Sequence, residues 1–74
     1  MARQVRWLGS QIKDCEYCFM PIENVFYDAS VPLNTAGVWM RICEECFKEF
    51  RCSLGSGFGQ KYERIGEEWL LTAG

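Results

Sequence analysis

Cys15-Glu-Tyr-Cys18 and Cys43-Glu-Glu-Cys46 each set two thiols three positions apart, with 24 residues between the pairs. Two residues between thiols allow a tight turn that aims both sulfurs at one centre, with backbone N–H groups nearby to support negative charge. Two such turns supply four soft ligands, the set taken by a tetrahedral zinc ion. The chain has no histidine and no evident fifth ligand. The expected site is therefore closed and structural, one Zn²⁺ held by Cys15, Cys18, Cys43 and Cys46. A mononuclear iron site would share that geometry. Two independent thioredoxin-like redox pairs are the competing chemistry, but a redox CxxC wants a βαβ setting that this short chain lacks. The fifth cysteine, Cys52, lies six residues beyond Cys46 without a turn partner. It reads as a small core hydrophobe or half-exposed thiol rather than a ligand.

At 74 residues and 8.6 kDa the chain supports one domain, residues 1–74, with a marginal core that calls for a staple. Metal-free protein is accordingly expected to be substantially unfolded. An odd cysteine count fits poorly with a fully paired extracellular scaffold. There is also no basic flank leading into an apolar stretch of signal-peptide length, and the apolar runs are too short to span a bilayer. The expectation is a cytoplasmic protein without membrane contact. The formal charge is −2; residues 1–13 carry +3 through Arg3, Arg6 and Lys13, and the remainder carries −5. Four thiolates around one Zn²⁺ would bring the total to −4. That is a poor footprint for tracking a phosphate backbone.

The elements that would carry the thiols follow from periodicity and turn residues. A short strand is expected across Gln4–Leu8, within a basic and aromatic segment spanning residues 1–13. Val25-Phe26-Tyr27 favours a strand, Asp28 to Gly37 reads as a hairpin connection, and Val38–Ile42 as the return strand, with Trp39 and Arg41 on one face. After Cys43 the spacing of Cys46, Phe47 and Phe50 suits a partly buried helical face. Glu44 and Glu45 suit its positive end; the pair Glu44/Lys48 supports the helix and Glu45/Glu49 opposes it slightly. Ser53–Gln60, with three glycines within five residues, does not readily extend it. Residues 61–71 read as an extended turn around Tyr62 and then a short helix or strand, and residues 65–74 as a tail of open structure. A knuckle, a hairpin, and a second knuckle opening a helix make a small α+β zinc-bound domain resembling a treble-clef zinc finger. A zinc ribbon is the alternative.

Gly55-Ser-Gly-Phe-Gly-Gln-Lys61 invites a phosphate-loop reading that fails, because no G-x-x-x-x-G-K-[ST] register can be drawn. The simpler expectation is a sharp turn that lets Phe58 and Tyr62 pack back on the core. A functional variant presents Phe58, Gln60, Lys61 and Arg64 to nucleic acid or protein. Eleven aromatic residues exceed what so small a core hides. Trp39 beside Arg41 is thus a candidate contact anchor, with Phe58 a second.

Taken together, the two cysteine pairs, the aromatic segment through Tyr27, the Gly37–Trp39 approach to Cys43 and the Leu54–Tyr62 stretch resemble small zinc-finger-like proteins encoded by bacteriophages and prophages. The resemblance spans about residues 15–62. It implies a compact metal-bound fold and a viral or mobile-element setting, in the host cytoplasm, more readily than an activity.

Catalysis is not expected: no Ser/Cys–base pairing is evident, and Glu44, Glu45, Glu67 and Glu68 read as solvated charges. The leading expectation is a non-enzymatic structural-zinc module that binds a host or viral protein through Trp39, Arg41 and Phe58. The alternative is a nucleic-acid-binding zinc finger, with a phage regulatory role, using Arg3, Arg6, Lys13, Lys61 and Arg64. A homodimer that hides Trp39 is also compatible with the sequence.

Overall fold

A computed structural model describes residues 5–9, 11–33, 37–55 and 57–74. Its elements are β1 (Val25–Val31), β2 (Val38–Ile42), α1 (Glu44–Glu49), β3 (Gly59–Ile65) and β4 (Glu68–Ala73). All four strands form one antiparallel sheet in the order β2-β1-β3-β4. The domain is α+β, and it carries more sheet than the sequence suggests.

The central strand β1 runs four residues beyond Tyr27, through the segment expected to be a connection. Ala29 and Val31 are fully buried. Asp28 and Ser30 alternate with them, facing Arg41 and Trp39 across β2. Beyond Phe26 that face of β1 turns polar while Ala29 and Val31 stay in the core on the other, so pairing with both neighbouring strands overrides the turn-like composition.

Pleating divides the core between the two faces of the sheet. On one face Phe26 lies opposite Tyr62; the two rings stack at 5.0 Å, and Trp69 meets Phe26 edge-on at 5.1 Å. Trp7 completes this cluster, edge-on to Phe26 at 5.3 Å and to Tyr62 at 5.5 Å. On the other face Tyr27 stacks on Phe47 of α1, with centroids 4.0 Å apart. Phe47 and Phe50 pack against the core and Cys46 is buried, so the helical face read from the spacing is the one that docks.

The N-terminal segment extends the sheet by a short antiparallel contact. Leu71 N–H donates to Val5 O at 2.7 Å and Trp7 N–H to Trp69 O at 2.8 Å, around an isolated bridge between Arg6 and Leu70. Of the strand expected over Gln4–Leu8, Gln4 lies outside the described residues.

Tyr62 is an interior strand residue, not the centre of a turn, and residues 68–73 are β4. The β3–β4 hairpin closes on Gly66-Glu67, with Gly66 at φ +67°, a value that a two-residue hairpin loop requires and glycine adopts at little steric cost. Gly59 is set by a close approach: a Cβ there would stand 2.6 Å from Ser53 O and 3.0 Å from Ala29 Cβ. The glycine run therefore seats β3 on β1. Phe58 does not pack back as expected; it is 61% exposed, because the seating role falls to Gly59 and Tyr62.

Candidate metal centre

The first knuckle is a closed loop tied by its own backbone. Cys15 N–H donates to Met20 O at 2.9 Å, Phe19 N–H to Cys15 O at 3.0 Å, and Ile22 N–H to Lys13 O at 2.9 Å. Within it, the N–H groups of Tyr17 and Cys18 point at Cys15 Sγ from 3.4 and 3.5 Å. These are the donors that stabilise a thiolate in a CxxC turn.

The second knuckle is the strand-to-helix junction. Cys43 is the extended residue that opens α1, and its side chain makes no capping hydrogen bond to the helix. Its sulfur instead turns to the first knuckle, 3.7 Å from Cys18 Sγ. Cys46, one turn on, puts its sulfur 3.6 Å from Cys15 Sγ. All four sulfurs lie within 4.8 Å of one another.

The cysteines are free thiols, and the separations are far beyond a disulfide length of about 2.05 Å. The two separations across the knuckles, 3.6 and 3.7 Å, match the edge of a tetrahedron of sulfurs about 2.3 Å from a central ion, which is roughly 3.8 Å. Four cysteines are therefore positioned to hold one metal ion.

Electrostatics point the same way. Burial pushes the Cys15 thiol up, but backbone N–H donation from Cys18, Cys43 and Tyr17 outweighs it and brings the thiol down to about 7. Burial pushes Cys43 and Cys46 up, and for Cys46 the sulfurs of Cys15, Cys18 and Cys43 add to the rise. Four sulfurs this close hold four negative charges only when a cation sits between them.

The knuckles are fastened together by a pair of residues that the sequence did not single out as a pair. Arg41, two positions before Cys43, donates its backbone N–H to Glu16 Oε1 at 2.6 Å and its Nη2 to Glu16 Oε2 at 2.7 Å. Glu16 N–H donates in turn to Arg41 O at 3.0 Å. Burial works against the Glu16 charge, yet the Arg41 backbone N–H and guanidinium hold its carboxyl below the usual carboxylate range. Tyr17 meets Phe50 edge-on at 4.7 Å across the same junction.

Arg41, expected as a contact residue, is thus occupied internally; its guanidinium carbon also lies 5.9 Å from the centre of the Trp7 ring. Trp39 is 53% exposed. Its partner across β1 is Ser30, whose N–H donates to Phe58 O at 3.0 Å, so Trp39 and Phe58 flank one residue from opposite sides.

The basic residues of the nucleic-acid alternative are dispersed. Arg6 pairs with Glu68 at 2.8 Å. Lys61 and Arg64 project from opposite faces of β3, Arg64 donating to Gly66 O at 3.2 Å. Lys13 is exposed, and Arg3 lies outside the described residues. Cys52 is half-buried against the core and outside the four-sulfur group, with its thiol pushed up by burial. No helix among the described residues is long and apolar enough to cross a membrane. Compared with known proteins, the chain matches no family model, and no curated protein or solved structure gives a significant match.

Proposed function

We propose that this chain is a non-enzymatic structural-zinc module that binds another protein. Zn²⁺ is the ion favoured by an all-cysteine tetrahedral set, in which every coordination position is taken by the chain and none is left for a reacting water. Within a treble-clef-like arrangement the ion joins the knuckle ahead of the hairpin to the start of α1, and the sheet is held in place behind it.

The observation that carries the interaction reading is the contrast among aromatic side chains. Trp7, Phe26, Tyr62 and Trp69 are packed together, while Trp39 and Phe58 stand out at one end of the sheet. Large aromatics left in solvent beside a rigid sheet are favoured contact anchors. The resemblance to phage-encoded proteins makes a host or viral protein the proposed partner class.

The test is affinity capture by the metal-loaded chain, comparing Trp39→Ala and Phe58→Ala with wild type, with and without nuclease. A protein retained after nuclease treatment and lost in both variants supports the proposal. Retention that disappears with nuclease, together with tight binding to DNA or RNA that falls steeply with salt, overturns it.

A further inference from the structure

A second surface, which includes neither Trp39 nor Phe58, combines exposed apolar groups with unbalanced negative charge. The exit of the first knuckle leaves Phe19 73% and Met20 61% exposed. Beside it, a cleft of about 420 Å³ opens between Met20, Pro21 and Val25 on one side and the start of α1 on the other, with Glu23, Glu44 and Glu45 at its rim. A second hollow of about 280 Å³ shares Met20 and Glu45 with the first and is lined also by Tyr17, Phe50 and Glu49, with Cys18 and Cys46 of the four-sulfur group in its wall. Met20 and Glu45 thus line both.

Charge decides what fits. Among the described residues, Lys48 is the one cation paired with these glutamates, 3.9 Å from Glu44. Phosphate-bearing ligands, whether nucleic acid or anionic lipid, meet like charge here. A lysine or arginine side chain has the complementary form, with an aliphatic stem for the apolar floor and a cationic head for the carboxylate rim. Two adjoining hollows that share Met20 and Glu45 suit two such side chains on a single segment.

We propose that this knuckle-and-helix surface docks a lysine- or arginine-rich aliphatic segment of a partner protein. The inference rests on the reading of the metal core as a scaffold for protein contacts; it adds a face and a partner chemistry that Trp39 and Phe58 do not specify. Phe19 adds support: it is held at φ +64°, a conformation costly for a bulky residue, without being buried in return.

The test is a titration of the isotope-labelled, zinc-loaded chain, followed by NMR, with a dodecapeptide alternating lysine with leucine and alanine, and with the same peptide carrying glutamate for lysine. The expected result is saturable shifts at residues 17–20, 23–25 and 43–50 with the lysine peptide and none with the glutamate peptide. Met20→Ala and Glu45→Gln should each weaken binding by roughly threefold or more, while Glu67→Gln, in the β3–β4 turn, leaves it unchanged. Absence of saturable binding, or equal weakening by Glu67→Gln, overturns the proposal. Shifts confined to Trp39 and Phe58 overturn this surface alone and leave the interaction reading standing. Loss of nuclease-resistant capture overturns that reading whatever the peptide does.

Discussion

Glu16 and Arg41, 25 residues apart, are joined by three hydrogen bonds, two of them through backbone N–H groups. One residue sits inside the first knuckle and the other just ahead of the second, so in the folded chain this pair ties the two halves of the four-sulfur group together. Such a tie shares the cost of ordering the two turns, which a bound ion would otherwise carry alone.

Arg41→Ala should therefore lower both stability and zinc affinity. The ion pair is about one-third exposed on each side, which limits its coulombic share. The loss expected is about 1–2 kcal/mol, mostly from the guanidinium hydrogen bond and its contact with Trp7. Glu16→Gln, which keeps an acceptor for the Arg41 N–H, should lose less. Urea unfolding and chelator competition on the same samples check both effects, and equal zinc affinity in all three proteins would defeat the clamp.

Metal removal should unfold the domain. One Zn²⁺ per chain is expected by elemental analysis, and a chelator under reducing conditions should abolish the dispersed NMR spectrum. Single Cys→Ser changes at positions 15, 18, 43 and 46 should each do the same. Cys52→Ser should retain one equivalent of metal and cost about 1 kcal/mol, as expected for a half-buried small apolar group outside the shell. Metal loss in Cys52→Ser would reassign the ligand set.

The four-cysteine grouping was legible because its signal is local: a CxxC turn is specified by four consecutive residues, and the helix face by Cys46, Phe47 and Phe50. What escaped were relationships set by pairing across the chain. Asp28 and Ser30 look like turn residues until β1 lies between β2 and β3. Arg41 looks like a surface anchor until Glu16 arrives from another loop. Tyr62 is recognisable as an interior strand residue only once it faces Phe26 and Leu71. Trp7 packs against Phe26, Tyr62 and Arg41, which come from three separate strands, and no spacing in the sequence announces that.

Asp28 gives a pH-dependent prediction. Its carboxyl is pushed above the usual Asp range, first by burial and further by Glu16, with Arg41 opposing. A carboxyl whose folded pKa is raised binds its proton more tightly in the folded state, so its favourable contribution is complete below the unfolded pKa and is lost as pH rises through the folded one. At pH 7 the ionised group is a liability, and Asp28→Asn should be the more stable protein. That advantage should shrink as pH falls toward the unfolded value of about 3.9. Urea midpoints of both proteins from pH 8 downward, at saturating zinc, measure the difference; a gap that widened on acidification would contradict the assignment.

Phe19 closes the first knuckle in the left-handed region, at φ +64°, where glycine is the unstrained residue. With its ring largely in solvent, little apolar burial offsets that strain. Phe19→Gly should relieve it at the cost of greater freedom in the unfolded chain, leaving a net gain of about 0.5–1 kcal/mol. Phe19→Ala, which keeps a Cβ and hence the strain, should gain nothing. The two variants separate backbone from side chain: a rise in the unfolding midpoint for glycine alone locates the cost in the left-handed backbone. Equal stability of all three proteins would show that the knuckle tolerates the conformation without strain. If the neighbouring acidic cleft docks a basic segment, both variants should also bind it more weakly than wild type, and the glycine variant would then be more stable and less competent at once.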